Sequence, residues 1–183
     1  MKHDEGQRTR LPWWLYALDN TNAIVTTFTG CFVLYTRSAG AAYFATGAVL
    51  CSLTVKVLKR CVRQPRPVVT VNGKRKKTYG MPSTHSAVIT YFATYIALAC
   101  AKLPIHPSLP DSPALSRVLP ALVAVPLAAT IALSRIWLGH HTWAQVGAGC
   151  AYGLLFAPLW FRMWTGGLNA YGPMLEDMVR VYI

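Results

Sequence analysis

The stretch SRIWLGHHTWAQ, Ser134 to Gln145, decides how this chain is read. It closes one apolar run with an arginine and opens the next just after two adjacent histidines. Ionisable side chains at membrane depth are costly and are kept where they have a use. The runs on either side supply the context. Uncharged segments of 17 to 20 residues occur at Asn20–Thr36, Ser38–Val55, Thr84–Ala101, Val118–Ser134 and Thr142–Phe161. The hydrocarbon core of a bilayer takes about 20 apolar residues of helix. The pattern predicts an all-α integral membrane protein, a helical bundle of about five transmembrane helices. A soluble bundle would repeat polar residues every three or four positions along each run. These runs have no such faces.

Composition agrees. Of 183 residues, 54% are hydrophobic and 13% charged, yet the formal net charge is +12. Such an excess in a nucleic-acid binder comes with a recognition module, and none is present. Basic loops at a membrane surface, or an anionic substrate, account for the charge instead. The cysteines Cys31, Cys51, Cys61, Cys100 and Cys150 are odd in number and lie in or beside the runs. They form neither a disulfide framework nor a zinc pattern. The opening residues MKHDEGQRTR are too polar for a cleavable signal peptide. LPWWLYAL (Leu11–Leu18) has the aromatic character of the headgroup level, and Asp19 separates it from the first run. The expected organisation is a polar and interfacial segment at 1–19, a membrane-embedded domain at 20–162 and a tail at 163–183. The tail holds a short surface helix at Met174–Tyr182.

If each run crosses the membrane once, the end of the second and the start of the third lie on one face. The end of the fourth and the start of the fifth lie on that same face. Three polar clusters thereby converge there, defining an active site at one membrane face. The first is Lys59, Arg63 and Arg66, followed by Pro67. Its guanidinium forks match phosphate oxygens, although juxtamembrane cations also serve lipid headgroups. The second is GMPSTHS, Gly80–Ser86, where Ser83 is placed to cap a helix whose first N–H groups face an anion. An ordinary capped helix with an interfacial histidine fits it too. The third is Arg135, His140 and His141 with Gln145. Residues four apart on a helix face the same way, so His141 meets Gln145 if the fifth helix begins near Gly139. An amide oxygen accepting from one ring nitrogen frees the other to attack. The alternative there is a pair of interfacial histidines with Trp137 and Trp143 as belt residues.

Together the clusters provide cations, N–H donors and two histidines, the requirements for phosphoryl transfer without a metal. The acidic residues are Asp4, Glu5, Asp19, Asp111, Glu176 and Asp177. None falls within the clusters, and no group of them is placed to hold magnesium.

These residues resemble the type 2 phosphatidic acid phosphatase superfamily over roughly residues 20–162. Lys59, Arg66 and Pro67 fit its first motif, Lys, six residues, Arg-Pro. Pro82, Ser83, Thr84 and His85 match its second, Pro-Ser-Gly-His, with threonine for glycine. Ser134, Arg135 and His141 fit its third, and Gln145 stands where that motif has aspartate. The spacing selects His141 over His140. YGMPSTHS and SRIWLGHHTWAQV resemble the dolichyl diphosphatase branch in particular. The resemblance implies hydrolysis of dolichyl (polyprenyl) diphosphate to the monophosphate, recycling the carrier for N-glycosylation in the endoplasmic reticulum membrane, with no cofactor. By the family's roles His141 attacks phosphorus and His85 protonates the leaving oxygen. Lys59, Arg66, Ser83, Thr84 and Arg135 hold the phosphoryl oxygens.

A lipid phosphate phosphatase acting on phosphatidate or a sphingoid phosphate is a second reading. A membrane protein that binds such lipids without turnover is a third. Orientation carries a conflict. Lysine and arginine number 13 on the site face and five on the other, which by the positive-inside rule makes the site face cytoplasmic. The resemblance implies a lumenal site, and a phosphate site itself recruits cations. The basic run Gly73–Lys77 lies on the same face, as a solvated loop or a grip on a second phosphate. The sequence leaves the oligomeric state open.

Overall fold

A computed structural model describes residues 12–67 and 78–182. Gly73–Lys77 therefore lies outside the described residues. Helices make up the fold: α1 (Trp13–Asp19), α2 (Thr21–Thr36), α3 (Ala39–Val62), α4 (Thr84–Lys102), α5 (Leu119–Trp137), α6 (Trp143–Thr165) and α7 (Gly172–Tyr182). A π turn at Ala114–Val118 leads into α5, and a 3-10 turn at Leu168–Tyr171 precedes α7. No strand occurs among the described residues.

Four helices are long and apolar enough to cross a membrane: α3, α4, α5 with its π turn, and α6. Five were expected. The remaining one, α2, has 16 residues and at 1.5 Å per residue reaches only about 24 Å. It joins α3 through a two-residue connection closed by Arg37 in the left-handed conformation. Helix α3 continues past the apolar run to Val62, so Lys59 and Arg60 occupy its last turn, where cations suit the helix dipole. The expected tail helix is present as α7. Its Glu176 Oε1 accepts from the Ala39 N–H at 2.8 Å, satisfying an open donor at the start of α3.

Helix α4 is the centre of the bundle, packed between α5 and α6. Against α6 the approach is close because Gly149 and Gly153 face α4 backbone from Ser83 to Tyr91. Small residues let membrane helices pack backbone to backbone, where no hydrophobic force drives them together. Away from the site, Phe44, Tyr91, Tyr95 and Phe161 interlock in stacked, tilted and edge-on pairs. Tyr91 Oη donates to Phe44 O at 2.8 Å, which satisfies its buried hydroxyl. The leucines and valines of α5, such as Leu122, Val123 and Leu127, point outward, as a lipid-facing surface requires.

Candidate active site

The end of α3, the turn before α4 and the link between α5 and α6 meet at one end of the bundle. Lys59, only 7% exposed, sits in the last turn of α3. The chain then leaves through Arg63 in the left-handed conformation and extends along Gln64–Pro67, carrying Arg66 back over the site. Its guanidinium is fully directed. Nε and Nη2 donate to Thr78 O at 3.0 Å and Thr78 Oγ1 at 3.1 Å. Nη1 reaches His140 O at 3.2 Å and His141 Nε2 at 3.0 Å.

Ser83 caps α4 as expected. Its buried hydroxyl accepts from Ser86 N–H at 3.4 Å and from Ser86 Oγ at 2.9 Å, an arrangement worth about 1 kcal/mol at a helix start. Thr84 and His85 follow in the first turn and are half-buried.

His141 and Gln145 do meet, although not by the expected route. Helix α6 begins at Trp143, not near Gly139, and Thr142 is its N-cap. Gln145 is then the third residue of a capping box. Its Oε1 accepts from Thr142 N at 3.3 Å while Thr142 Oγ1 accepts from Gln145 N at 3.4 Å. The same Oε1 lies 3.1 Å from His141 Nδ1. On its other side, Gln145 Nε2 donates to Pro65 O at 2.9 Å and to Gln64 Oε1 at 3.1 Å. The backbone joins in: Ser83 N donates to Gln145 O at 2.9 Å and Gly80 N to Gln64 O at 2.7 Å. A Cβ at Gly80 would collide with the Gln145 amide, so only glycine leaves that amide in place.

Arg135 is 1% exposed and turned away from this group. Nε and Nη2 donate to Ser134 Oγ at 3.1 and 3.0 Å. Nη2 also donates to Leu18 O, and Nη1 lies 3.8 Å from Asp19 Oδ1. His140 Nε2 is 2.9 Å from the same carboxylate oxygen. The expectation that no acidic residue joins the clusters is therefore corrected: Asp19 belongs to the third. The side-counting that gathered the clusters also puts the start of the first apolar run on this face, and Asp19 stands directly before it. Gln64 and Thr78 were missed as well. Gln64 lies two residues before the motif arginine, but its partner is remote in sequence.

A cavity of about 820 Å³ opens beside the group. Its polar end is lined by Lys59, Arg66, Thr78, Thr84 and His85, and its walls continue along α2, α3 and α4 past Val25, Leu53 and Phe92. Of the expected site residues, Lys59, Arg66, Thr84 and His85 line this space. His141 touches it through Arg66, Ser83 is buried behind it, and Arg135 faces α1. Burial, then the Arg66 and Lys59 charges, hold the His141 imidazole down to about 3, against a small upward pull from Gln145. It is neutral at physiological pH. Neutral histidine, clustered cations and an apolar wall suit a lipid with a phosphorylated headgroup. Among the described residues no three His, Cys, Asp or Glu side chains are grouped to hold a metal ion.

The fold is that of a multi-span membrane protein. The chain belongs to the PAP2 superfamily, whose family model matches residues 40–167. It is 31% identical over 147 residues to lipid phosphate phosphatase gamma of Arabidopsis thaliana, covering 80% of this chain and 63% of that protein. It is 31% identical over 133 residues to dolichyldiphosphatase 1 of Dictyostelium discoideum, covering 70% of this chain and 54% of the relative. The dolichyldiphosphatase of Saccharomyces cerevisiae is 29% identical over 132 residues, with 70% and 53% covered. The chain thus spans less than two thirds of the length of these curated relatives. The crystal structure of a transmembrane PAP2-type phosphatidylglycerolphosphate phosphatase from Bacillus subtilis shares the fold. Its TM-score is 0.62 at 19% identity, over 83% of this chain and 77% of that one.

Proposed function

We propose that this chain hydrolyses a polyprenyl diphosphate of the dolichyl type to the monophosphate and inorganic phosphate. The setting is the endoplasmic reticulum membrane, with the site toward the lumen, and the product is the carrier used for N-glycosylation. The observation that carries the reading is the pairing of His141 Nε2 with Arg66 while Nδ1 is held by Gln145. A phosphoryl group takes over Arg66 and comes in line with Nε2. The nucleophile forms a P–N bond as the bond to the bridging oxygen breaks. His85 gives its proton to that oxygen, which leaves as the lipid monophosphate. Water, deprotonated by His85, then attacks phosphorus and breaks the P–N bond, releasing phosphate. Lys59 and Arg66 neutralise the equatorial oxygens while Ser83 and Thr84 donate hydrogen bonds to them, as electrostatic stabilisation of this transfer requires. Arg135 joins them on this reading by leaving Asp19.

Gln145 bears on the substrate. A neutral amide orients His141 but stabilises an imidazolium less than a carboxylate does. A phosphomonoester is a far less basic leaving group than an alkoxide, which offsets the weaker nucleophile. The similarity to dolichyldiphosphatases supports the same choice. The Arabidopsis relative keeps a second reading open, a lipid phosphate monoesterase.

Phosphate release by the purified protein, with a chelator present, distinguishes them. Dolichyl diphosphate, dolichyl phosphate and phosphatidate are compared, with His141→Ala as control. Selective release from the diphosphate, abolished in the variant, is expected. Equal rates on the diphosphate and monophosphate would sink the substrate assignment. Binding unchanged by His141→Ala, with no release by the intact protein, would mean that the pocket holds lipid without turnover.

A further inference from the structure

The direction of every hydrogen bond behind His141 follows from chemistry alone. Pro65 O can only accept, so the Gln145 atom facing it at 2.9 Å is the amide nitrogen. Thr142 N can only donate, so the atom facing it at 3.3 Å is the amide oxygen. The Gln64 atom 3.1 Å from the Gln145 nitrogen must then be its carbonyl oxygen. The His141 atom 3.1 Å from the Gln145 oxygen must be a protonated Nδ1. Arg66 can only donate, which leaves His141 Nε2 as the acceptor at 3.0 Å. The chain runs unbroken from Arg66 through His141 and Gln145 to Gln64.

We propose that Gln64 is a positioning residue, which through Gln145 tunes the basicity of His141. The carbonyl of Gln64 draws on the Gln145 amide, and the amide oxygen draws in turn on the Nδ1 proton. Polarised chains of this kind strengthen link by link in a low-dielectric interior. Two neutral amides thereby recover part of the pull on Nδ1 that one carboxylate would supply. Pro65 holds the Gln145 nitrogen in place but cannot be tuned by its side chain. Gln64 is the link that substitution can tune. The proposal rests on His141 being the nucleophile.

The test uses the full chain in detergent micelles with a polyprenyl diphosphate as probe. Gln64→Leu removes the acceptor and lowers kcat about five- to tenfold, the rate equivalent of one buried hydrogen bond, with KM little changed. Gln64→Glu keeps the acceptor and adds a charge, so kcat is retained and the acidic limb of kcat/KM moves to higher pH. A merely structural role would make both variants lose alike with the limb unmoved, and that result overturns the proposal, as does full activity in Gln64→Leu. His141→Ala separates this from the function: activity surviving there removes the nucleophile reading whatever Gln64 does. Ring 15N shifts of His141 report the relay without turnover. Nδ1 stays protonated in both, because Pro65, Thr142 and Arg66 set the tautomer, and its 15N shift moves in Gln64→Leu as the hydrogen bond to Gln145 weakens. The same shift in both would overturn it.

Discussion

Asp19 Oδ1 accepts a hydrogen bond from His140 Nε2 at 2.9 Å. The carboxylate ends α1, which precedes the segment matched by the PAP2 family model, while His140 is the immediate neighbour of His141. Asp19 also faces Arg135, and an α1 carbonyl, Leu18 O, completes the hold on that guanidinium. Asp19→Ala leaves the buried Arg135 with less to neutralise it. The loss is about 1.5–3 kcal/mol, the scale for a hydrogen bond to a charged group. Thermal unfolding in detergent would register it as a lower midpoint, and Asp19→Asn, which keeps an acceptor for His140, falls between the two.

Gly80→Ala drives a methyl group into the Gln145 amide. The amide is tied to His141, Thr142, Gln64 and Pro65, so it cannot yield without releasing His141. Turnover falls by about tenfold or more, in line with the effect of misplacing a catalytic group by about 1 Å. The fold stays intact, because the clash is with a side-chain terminus and not with backbone. Activity and helical circular dichroism measured together would reveal this separation.

On the proposed reading, His141 reacts as the neutral imidazole. Burial and the charges of Arg66 and Lys59 hold it down to about 3. In the free enzyme, lowering the pH through the ordinary imidazole range therefore leaves it unprotonated, and its contribution to the acidic limb of kcat/KM lies well below that range. Lys59→Met removes one of the depressing charges, so the sign is upward: the ring gains protons at a higher pH. Titration of the ring resonances by NMR would follow that shift even where turnover is weak.

Gly153→Val puts a branched side chain against Ala87 and Tyr91 backbone on α4. Neither helix can give way locally, and overpacking costs about 1–3 kcal/mol. Gly147, on the same helix, has no neighbouring atom within 4 Å of where a methyl group would stand, so Gly147→Ala is the neutral comparison. Equal thermal midpoints for the two variants would contradict the close α4–α6 approach.

The convergence of the clusters was readable because uncharged runs fix which loop ends share a face, whatever the packing. The Ser83 cap was readable too, since capping is local. The first run is shorter as a helix than as an uncharged stretch: a threonine-rich run of 17 residues becomes an α2 of 16. The start of α6 was misplaced because His141 to Gln145 satisfies helical spacing, while the Thr142 capping box sets the true boundary. Asp19 and Gln64 were harder to see. Each acts on a residue at least 80 positions away, and no local pattern marks which polar residue on a face will be the partner.

The short α2 has a further consequence. At about 24 Å it falls several ångströms below the hydrocarbon thickness of about 30 Å, beside an α3 of 24 residues that exceeds it. Hydrophobic mismatch of this kind is met by local thinning of the bilayer, at a fraction of a kcal/mol per ångström. Residues of α2 and α3 form one wall of the cavity. Thinning there would bring the headgroup plane toward Lys56 and Lys59, which line the cavity.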